Sequence, residues 1–509
     1  LCPSALRADT RGKIAGTITD ARTGEPLVGV NVLLVGTTLG SSTDLDGMFI
    51  ILNIPPGIYD VRVSMVGYAS KVIQEVRVSS GQTTTLKEAL TEEVIQGEEV
   101  VVIATRPVVD TRQTSAVNIL DRKDINVLPV QELNDIVNLQ AGVVDGHFRG
   151  GRIGEVQYQV DGVSINNPYD NSASIRIDKS IIQEVQVISG TFDAEYGQAM
   201  SGVVNAVLRS GASDRFEYAA EVYAGEYTGS TSKFPHIDRI DPTTIQSYQF
   251  SLSGPTPLPS TTFLVNVRRY TDEGYLFGQR RFTPFDTSSP GENRFYPTGD
   301  NALVPMNYFR EWSGQGKLTT KLFSSAQLSY QAVFNTAAYK AYNYGWRFNP
   351  DGLKEPRKKS LVHGVDWTHT LSPTMFYTVS VRQNFFDYRD NRYESVYDPR
   401  YYTAKGPVSD ANYEYGAVIQ GVDLGRFLQQ TISYIGKASL TWQATKTHLL
   451  KAGFEAQEAT IRFGPKGVLI ATTSSTGVQE IRAFVDDPEH PRVVRNKPRW
   501  LSAFVQDRL

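Results

Sequence analysis

Side chains that could bind a metal occur at two places in the sequence, and neither place has a complete set of ligands. In TDLDG, Asp44 and Asp46 have the spacing found in calcium loops. An EF-hand loop also needs further oxygen ligands and a distal Glu, which do not follow here, so a tight turn is the better interpretation. His363 and His369 share one face of a predicted strand, but at strand rise they lie about 20 Å apart. The sequence therefore predicts neither a metal site nor a cofactor.

No constellation typical of an enzyme is present either. The sequence lacks a clustered His/Glu set for zinc and a nucleophile with its base. Its one cysteine, Cys2, cannot form an internal disulfide. An enzyme is therefore disfavoured.

Length and composition favour a mainly β protein of about three units. The chain has 509 residues and a formal net charge of −3, so no basic footprint of nucleic-acid binding is visible. No apolar run approaches the roughly 20 residues of a membrane-spanning helix. The 26 Tyr, 23 Phe and 42 Gly residues suit the strands, turns and aromatic girdles of an outer-membrane barrel.

The first unit is predicted at residues 12–92. The preceding residues 1–11 contain LCPSALRA, which is typical of the end of a secretory signal with cleavage after Ala8, although a disordered tag-like end is the alternative. From residue 12, strand and turn signals alternate at the spacing of a small β-sandwich. The segments IAGTITDARTGEPLVGVNVLLVGTTLGSSTDLDGMF and GIYDVRVSMVGY resemble the carboxypeptidase regulatory-like domain. That resemblance implies a non-catalytic, seven-stranded accessory sandwich.

The second unit, residues 111–212, is predicted to be a small α+β domain. Leu133, Ile136 and Val137 lie at helical spacing before Gly142, a helix-ending signal. The segments FRGG, YQVDGVSINNP and IQEVQVISGTFDAEYGQAMSGVVNAVLRSG resemble the plug domain of TonB-dependent outer-membrane receptors. The positions that match the plug motif are Arg149, Gly150, Asp161, Gly162, Glu184, Gly190, Tyr196, Gly197, Gly202 and Asn205.

Two roles remain open for the arginines of the FRGGR segment. Arg149 and Arg152 could pair with acidic groups on a barrel wall and hold the plug in the lumen. Alternatively, they are solvated loop charges. For the glycines of the motif, turn and packing geometry is the favoured interpretation.

The third unit, residues 213–509, is predicted to be the first part of an antiparallel transmembrane β-barrel. Segments with a period of two are separated alternately by short and long connections, as in outer-membrane barrels. We count about ten strands, whereas plugged outer-membrane transporters have about 22. The expectation from this count is a receptor truncated at its C-terminus.

The linker at residues 93–110 contains an extended, β-branched segment, EEVVVIAT. It resembles the TonB box of the family in composition and position, and Pro107 follows it. An unpaired segment just before a plug can be bound by strand addition from the periplasm. The alternative is a linker strand docked permanently on the plug or the sandwich. The predicted coupling residues are Glu98, Glu99, Val100, Val101, Val102, Ile103, Ala104 and Thr105.

Two predicted loops are dense in aromatic residues and Arg. YKAYNYGWRF and FDYRDNRYESVYDPRYY offer rigid rings that suit sugars or peptide side chains. Packing between loops, together with an outer aromatic girdle, is the alternative. The candidate ligand-binding residues are Tyr339, Tyr342, Tyr344, Trp346, Tyr393, Tyr397 and Tyr401.

Together these resemblances imply a TonB-dependent receptor of the branch that includes SusC-like glycan importers and Oar-like receptors. Such a protein imports a bulky, scarce solute (glycan, peptide, siderophore or cobalamin) when TonB and its inner-membrane energising complex displace the plug. The implied location is the outer membrane, in contact with its lipid, with the N-terminal domain in the periplasm and possibly a surface lipoprotein as partner. A structural, secretion or signalling protein of the same architecture is the alternative.

Overall fold

The computed structural model describes residues 11–93, 100–103, 116–190, 192–229, 241–323, 325–473, 479–485 and 492–508. Three units follow one another along the chain. Within the described ranges, no helix is both long enough and apolar enough to cross a membrane.

The first unit, called the accessory domain below, is a sandwich of two sheets. Its strands are β1 (Gly12–Asp20), β2 (Asn31–Leu34), β3 (Gly40–Ser42), β4 (Met48–Ile54), β5 (Gly57–Ser64), β6 (Lys71–Val78), β7 (Thr83–Leu90) and β8 (Val100–Ile103). One sheet has the order β4-β1-β7 and the other β3-β2-β5-β6-β8. Because side chains alternate along a strand, Ile14 and Ile18 of β1 meet Val61 and Val63 of β5 in one fully buried core.

The second unit, the plug, is built on a five-stranded sheet with the order β13-β12-β15-β14-β9. Its strands are β9 (Ala116–Asp121), β10 (Val143–Val144), β11 (His147–Phe148), β12 (Val156–Val160), β13 (Val163–Ser164), β14 (Ile182–Ser189) and β15 (Gly202–Leu208), and its helices are α1 (Arg122–Val127) and α2 (Leu133–Asn138). Helix α2 confirms the predicted amphipathic helix, since Leu133, Ile136 and Val137 are buried in the plug core.

The third unit, the barrel wall, is one large antiparallel sheet with small hairpins in its loops. Its strands are β16 (Glu217–Gly225), β17 (Ile245–Pro255), β18 (Thr261–Asp272), β19 (Phe277–Gln279), β20 (Leu303–Pro305), β21 (Phe309–Phe323), β22 (Ala326–Tyr339), β23 (Arg357–Ser372), β24 (Met375–Asp390), β25 (Val408–Ser409), β26 (Val418–Gln420), β27 (Phe427–Gln443), β28 (Leu449–Gly464), β29 (Val468–Thr473), β30 (Gln479–Phe484), β31 (Val494–Asn496) and β32 (Arg499–Arg508), and helix α3 (Pro399–Ala404) lies in a loop.

The large sheet has the order β16-β17-β18-β21-β22-β23-β24-β27-β28, and both β31 and β32 pair with the far edge of β28. Within the described residues its eleven segments therefore occupy ten strand positions, which agrees with the predicted count. The fold class, a β-sandwich, an α+β plug and antiparallel barrel strands, is confirmed.

The two faces of the wall differ in chemistry. On β27, Ser433 and Thr441 point inward and are buried, whereas Tyr434 and Trp442 point outward and are 58% and 40% exposed. This alternation gives a polar lumen and an apolar exterior, as an outer-membrane barrel requires. The plug occupies the polar side, where Val333 and Val362 of the wall also join its apolar core.

Candidate functional site

The contact between plug and wall contains a fully buried ion pair. Arg268 of β18 is paired with Asp178 of the plug, and both side chains are more than nine-tenths buried. The Arg268 guanidinium also donates to Gln131 of the plug and, at 2.9 Å, to the Ser247 hydroxyl on the neighbouring strand. Removing one partner of such a pair is strongly destabilising, because the remaining charge is buried in a low-dielectric interior without a counter-charge.

A second charged contact has the opposite polarity, with the cation on the plug. Arg176 is paired with Glu132 of the plug and, at 3.4 Å, with Glu311 of β21. Its guanidinium lies 4.4 Å from the centre of the Phe309 ring on the wall, a cation–π geometry. Both contacts fix the plug laterally against β18 and β21.

The Asp-Gly of the VDGV motif forms the turn between β12 and β13, and two wall lysines bind it. Asp161 and Gly162 both have positive φ, 48° and 75°, as a type I′ hairpin turn requires. Asn205 of the plug motif accepts the Gly162 N–H at 3.1 Å. Lys317 lies 3.3 Å from the Asp161 carboxylate, and Lys437 donates to the Gly162 carbonyl at 2.6 Å. The motif turn is thus an attachment point.

We call the wall residues that contact the plug in these ways the plug seat. A further hydrogen-bond set belongs to it, in which Asn167 of the plug accepts from Thr431 at 2.9 Å and Asn384 donates to the Ser164 carbonyl at 2.9 Å. The members of the plug seat are Arg268, Glu311, Lys317, Ser360, Asn384, Gln429, Thr431 and Lys437.

A cavity of about 840 Å³ with a mixed polar and apolar lining lies where the three units meet. The Asp161–Gly162 turn forms part of its boundary with Lys317, and Tyr59 contributes from the accessory domain. Hydroxyl groups of the wall, such as that of Ser439, line another side. The cavity is adjacent to the point where the plug is attached to the wall.

The accessory domain contacts the plug at Glu184, a predicted plug-motif residue. The buried Glu184 carboxylate accepts the backbone N–H of Ser80 at 3.0 Å and the Gln186 amide at 2.9 Å. Gln186 also donates to the Ser80 carbonyl at 2.6 Å. Burial raises the pKa of the Glu184 carboxyl, while the hydrogen bonds from Ser80 and Ser79 act in the opposite direction. The turn after β6 therefore caps a plug carboxylate.

The accessory domain also contacts the short turns of the wall. Asp44 and Asp46, the residues considered above for calcium, lie in a turn and pair with Lys446 between β27 and β28. The hydrogen bond from Lys446 is the main cause that lowers the pKa of Asp44. Nearby, the Asn53 amide donates to the Thr370 hydroxyl at 2.9 Å. The side chains of Lys446, Asp44 and Asp46 are substantially exposed, so their ion pairs are weak.

Residues Val100–Ile103 of the predicted coupling segment are paired with the accessory domain, which agrees with the alternative of a linker strand docked on the sandwich rather than with a free segment. Strand β8 runs parallel to β6, with Val101 opposite Val72 and Val102 opposite Ile73. The physical reason is that β6 is otherwise an edge strand with backbone groups available for pairing. Of the remaining predicted coupling residues, Glu98, Glu99, Ala104 and Thr105 lie outside the described residues.

The FRGGR arginines do not anchor the plug to the part of the wall that the structure describes. Arg149 has a positive φ of 48° and lies against Gly190, and the backbone N–H of Arg152 donates to Glu155. Neither side chain forms an ion pair with a carboxylate of the described wall, where Arg176 and Arg268 have that role instead. Gly202 is required for packing, since a Cβ there would lie 2.3 Å from the Phe148 ring. The other motif residues, Gly150, Gly190, Tyr196 and Gly197, lie in connections between β11 and β15.

The aromatic loop residues divide into buried and exposed groups. Trp346, Tyr393 and Tyr401 are at most 7% exposed and belong to the cores of the loops. Tyr344 and Tyr397 are 53% and 63% exposed. Loop packing, the alternative stated above, therefore describes the first group, and only the second presents an open ring. Tyr339 and Tyr342 are half-buried.

The comparisons with known proteins agree with this organisation. Residues 14–102 match the model of the CarboxypepD_reg-like domain, and residues 110–204 match the model of the TonB-dependent Receptor Plug Domain. Both resemblances predicted from sequence motifs are thereby confirmed. Over 235 residues the chain is 25% identical to the TonB-dependent transporter Oar of Myxococcus xanthus, covering 43% of this chain and 22% of Oar.

Two solved structures have the same fold. The outer membrane transporter YddB from Escherichia coli gives a TM-score of 0.54 at 12% identity, covering 77% of this chain and 54% of YddB. FpvA of P. aeruginosa, bound to an iron–pyoverdine complex, gives 0.52 at 13% identity, covering 80% and 51%. The chain thus spans about a fifth of Oar and about half of each solved chain. These similarities indicate an outer-membrane protein.

Proposed function

We propose that this chain, which has the domain organisation of a TonB-dependent receptor, acts in the energy-coupled import of a bulky, scarce solute across the outer membrane. The observation that carries the proposal is the plug seat, a set of ion pairs and hydrogen bonds between a separately folded plug and a polar wall. A plug attached in this way can exchange its polar contacts for water, and in the apolar core only the contacts with Val333 and Val362 of the described wall would have to open.

Polar contacts suit a plug that must move. When Lys317 and Lys437 release the Asp161–Gly162 turn, water can replace the lost hydrogen bonds. An apolar interface has no such replacement, because exposing it to water costs free energy in proportion to its area. The adjacent cavity of about 840 Å³ would widen as this turn leaves the wall, and its hydroxyl groups would line the route of a polar solute.

The force is proposed to act on the segment Glu98–Thr105. TonB, energised by its inner-membrane complex, would bind this segment from the periplasm by strand addition. The accessory domain, which precedes the segment in sequence, would then also lie in the periplasm. The long loops would be extracellular, because they leave the sheet at the end opposite the short turns that contact the accessory domain.

The solute is proposed to meet the exposed aromatic residues Tyr344 and Tyr397 of the long loops. Arg347 lies 3.8 Å from the Tyr344 ring centre, so an aromatic face and a cation stand together at an open surface. This pair suits a solute with rings and anionic groups, such as a glycan, a peptide or a siderophore.

One experiment tests coupling and binding together. Cells producing the full-length receptor are incubated with a defined mixture of oligosaccharides, peptides and ferric siderophores, and depletion from the medium is measured by mass spectrometry with and without TonB. Val101→Pro removes a backbone donor, so we expect surface binding without uptake, whereas Val101→Ala keeps the donor and should retain uptake. Tyr344→Ala should weaken surface binding. Uptake by Val101→Pro equal to that of the wild type would refute coupling through this strand.

A further inference from the structure

The Asp161 carboxylate of the plug lies beside two lysines of the wall, at the edge of the cavity of about 840 Å³. It is 3.3 Å from Lys317 and accepts the Leu208 N–H at 3.0 Å. Lys321 shares a face of β21 with Lys317 and also lines the cavity. We propose that Lys317 and Lys321 form an anion-binding subsite, which Asp161 occupies at rest and which binds an anionic group of the solute once the plug turn moves. This inference rests on the proposed function and names the chemical class of its solute.

Two other charges of the cavity lining are already compensated within the wall. The Arg382 guanidinium donates to both carboxylate oxygens of Asp366, at 2.7 and 2.6 Å. Lys437 lies 3.7 Å from Glu455 on the neighbouring strand. Neither charge therefore depends on a carboxylate of the plug.

Lys317 and Lys321 have no such partner in the described wall. The carboxylate paired with Lys317 is that of Asp161, and Lys321 forms no ion pair with a residue that the structure describes. The two lysines are four residues apart on one strand, which places them about 13 Å apart. Their positive charge next to a cavity attracts anions, and a solute with two anionic groups can contact both lysines.

Hydroxyl groups form much of the remaining polar surface of the cavity. Thr319 lies between the two lysines in β21, and its hydroxyl is 3.0 Å from that of Ser329. Ser380 and Ser439 also line the cavity. Hydroxyls both donate and accept hydrogen bonds, and the cavity volume is within the roughly 300–1,000 Å³ of small-molecule sites. The solute class indicated is a polyhydroxylated molecule with sulfate, phosphate or carboxylate groups.

The subsite would connect the charge of the solute with displacement of the plug. The Lys317 side chain is only 10% exposed, so moving Asp161 away leaves a buried cation without a counter-charge, which is unfavourable. An anionic group of the solute removes this cost because it takes the place of the carboxylate. A ligand that binds the displaced state more tightly shifts the equilibrium toward that state. An anionic solute therefore favours displacement of the turn, and a neutral solute does not.

Removal of the plug carboxylate tests the subsite without TonB. Asp161→Gly empties the subsite and keeps a residue that adopts the positive φ of this turn. Calorimetry measures the binding of a sulfated disaccharide, and of its unsulfated form, to the full chain in detergent. Asp161→Gly should bind the sulfated form at least about tenfold more tightly than the wild type does, and adding Lys317→Gln should abolish this gain. Adding Lys446→Gln, at an exposed lysine outside the cavity, should retain it.

Two results of this titration would overturn the proposal. Equal affinity of the wild type and Asp161→Gly for the sulfated disaccharide would mean that the carboxylate blocks no anion site. A gain that survives Lys317→Gln would place the bound anion elsewhere. If Asp161→Gly does not fold, Asp161→Asn removes the charge and keeps the side-chain shape, and a smaller gain in the same direction is expected.

Uptake distinguishes the subsite from a role of Lys317 in attachment alone. The control is Asn384→Ala, which removes an uncharged hydrogen bond of 2.9 Å to the Ser164 carbonyl of the plug. In the depletion experiment above, Lys317→Gln should slow the uptake of anionic solutes about tenfold more than the control does, and should slow any uptake of neutral solutes equally. The same loss of anionic uptake in both variants would show that Lys317 only attaches the plug, and import of neutral solutes alone by the wild type would also overturn the proposal. If the wild type imports no solute, the proposed function itself fails, which is a different result.

Discussion

The plug seat and the contacts of the accessory domain are both polar, but they differ in burial. Arg268 and Asp178 are 5% and 8% exposed, whereas the side chains of Lys446, Asp44 and Asp46 are 49%, 40% and 68% exposed. A buried pair interacts in a low dielectric and cannot lose one partner cheaply. An exposed pair is screened by water and salt. The wall therefore holds the plug firmly, whereas it holds the accessory domain only weakly.

The junction between accessory domain and plug is intermediate. Glu184 is 2% exposed, but the groups that hydrogen-bond to it, the Ser80 N–H and the Gln186 amide, are neutral. A buried carboxylate with neutral donors is sensitive to its own protonation, which a charge pair resists. Of the three contacts, this one should therefore respond most to pH.

Breaking the buried pair should give the largest effect. Arg268→Met leaves the Asp178 carboxylate buried without its cation, and we expect plug attachment to weaken by about 3–5 kcal/mol. The matched control is Arg215→Met, whose ion pair with Glu217 is exposed and should contribute about 0–1 kcal/mol. Hydrogen exchange of plug amides in the protein reconstituted in lipid measures both. Equal effects of the two substitutions would contradict the comparison.

A second substitution, Asp178→Asn, tests whether the unpaired carboxylate causes the loss of stability in Arg268→Met. In Arg268→Met with Asp178→Asn, neither charge of this pair remains, so no unpaired carboxylate is left at position 178 and much of the lost stability should return. If the double variant is as unstable as Arg268→Met alone, the loss comes from packing of the arginine side chain rather than from the unpaired carboxylate.

The parts of the fold that the sequence predicts are those with a local signal. Alternation along strands, the spacing of Leu133 and Ile136 in α2, and the change between short and long connections all lie within a few residues of chain. The motif turn Asp161–Gly162 is also local, because an Asp-Gly pair between two strands specifies the hairpin.

The plug seat has no such signal. Arg268 and Asp178 are 90 positions apart in sequence, and their meeting depends on the strand register and on the position of the plug in the lumen. Alternation predicts only that Arg268 shares a face with Asn266. From the sequence, the pairing of β8 with β6 was only one alternative for a similar reason, since a β-branched segment has the same sequence whether or not an edge strand is available to pair with it.

A change of pH should have a smaller effect on stability, and this effect should be specific to the junction between the accessory domain and the plug. Burial raises the pKa of Glu184 above its ordinary value of 4.5, so the docked state binds the proton more tightly than the unfolded chain does. Its contribution to stability is therefore fully present below pH 4.5 and is lost as the pH rises through the raised pKa. Glu184→Gln cannot titrate, so the stability difference between wild type and variant should change over this range and level off above it.

Limited proteolysis of the accessory domain across this pH range measures the effect. The wild type should become easier to cleave relative to Glu184→Gln as the pH rises. A difference that is constant with pH would mean that Glu184 keeps the same protonation state when docked and undocked. The effect should be smaller than that of Arg268→Met, because water can solvate the carboxylate once the domains part.

The smallest effect is expected for Lys446→Ala, which removes the exposed contact with Asp44 and Asp46. The lysine is solvated when unpaired, so thermal unfolding and plug protection should equal those of the wild type, and any change in accessory-domain cleavage should vanish at high salt. Lys437→Ala is the matched control on the same pair of wall strands, since Lys437 is buried and donates to the Gly162 carbonyl. It should increase exchange at the Asp161–Gly162 turn. A larger effect of Lys446→Ala on the plug would mean that the accessory domain, rather than the plug seat, secures the plug in the wall.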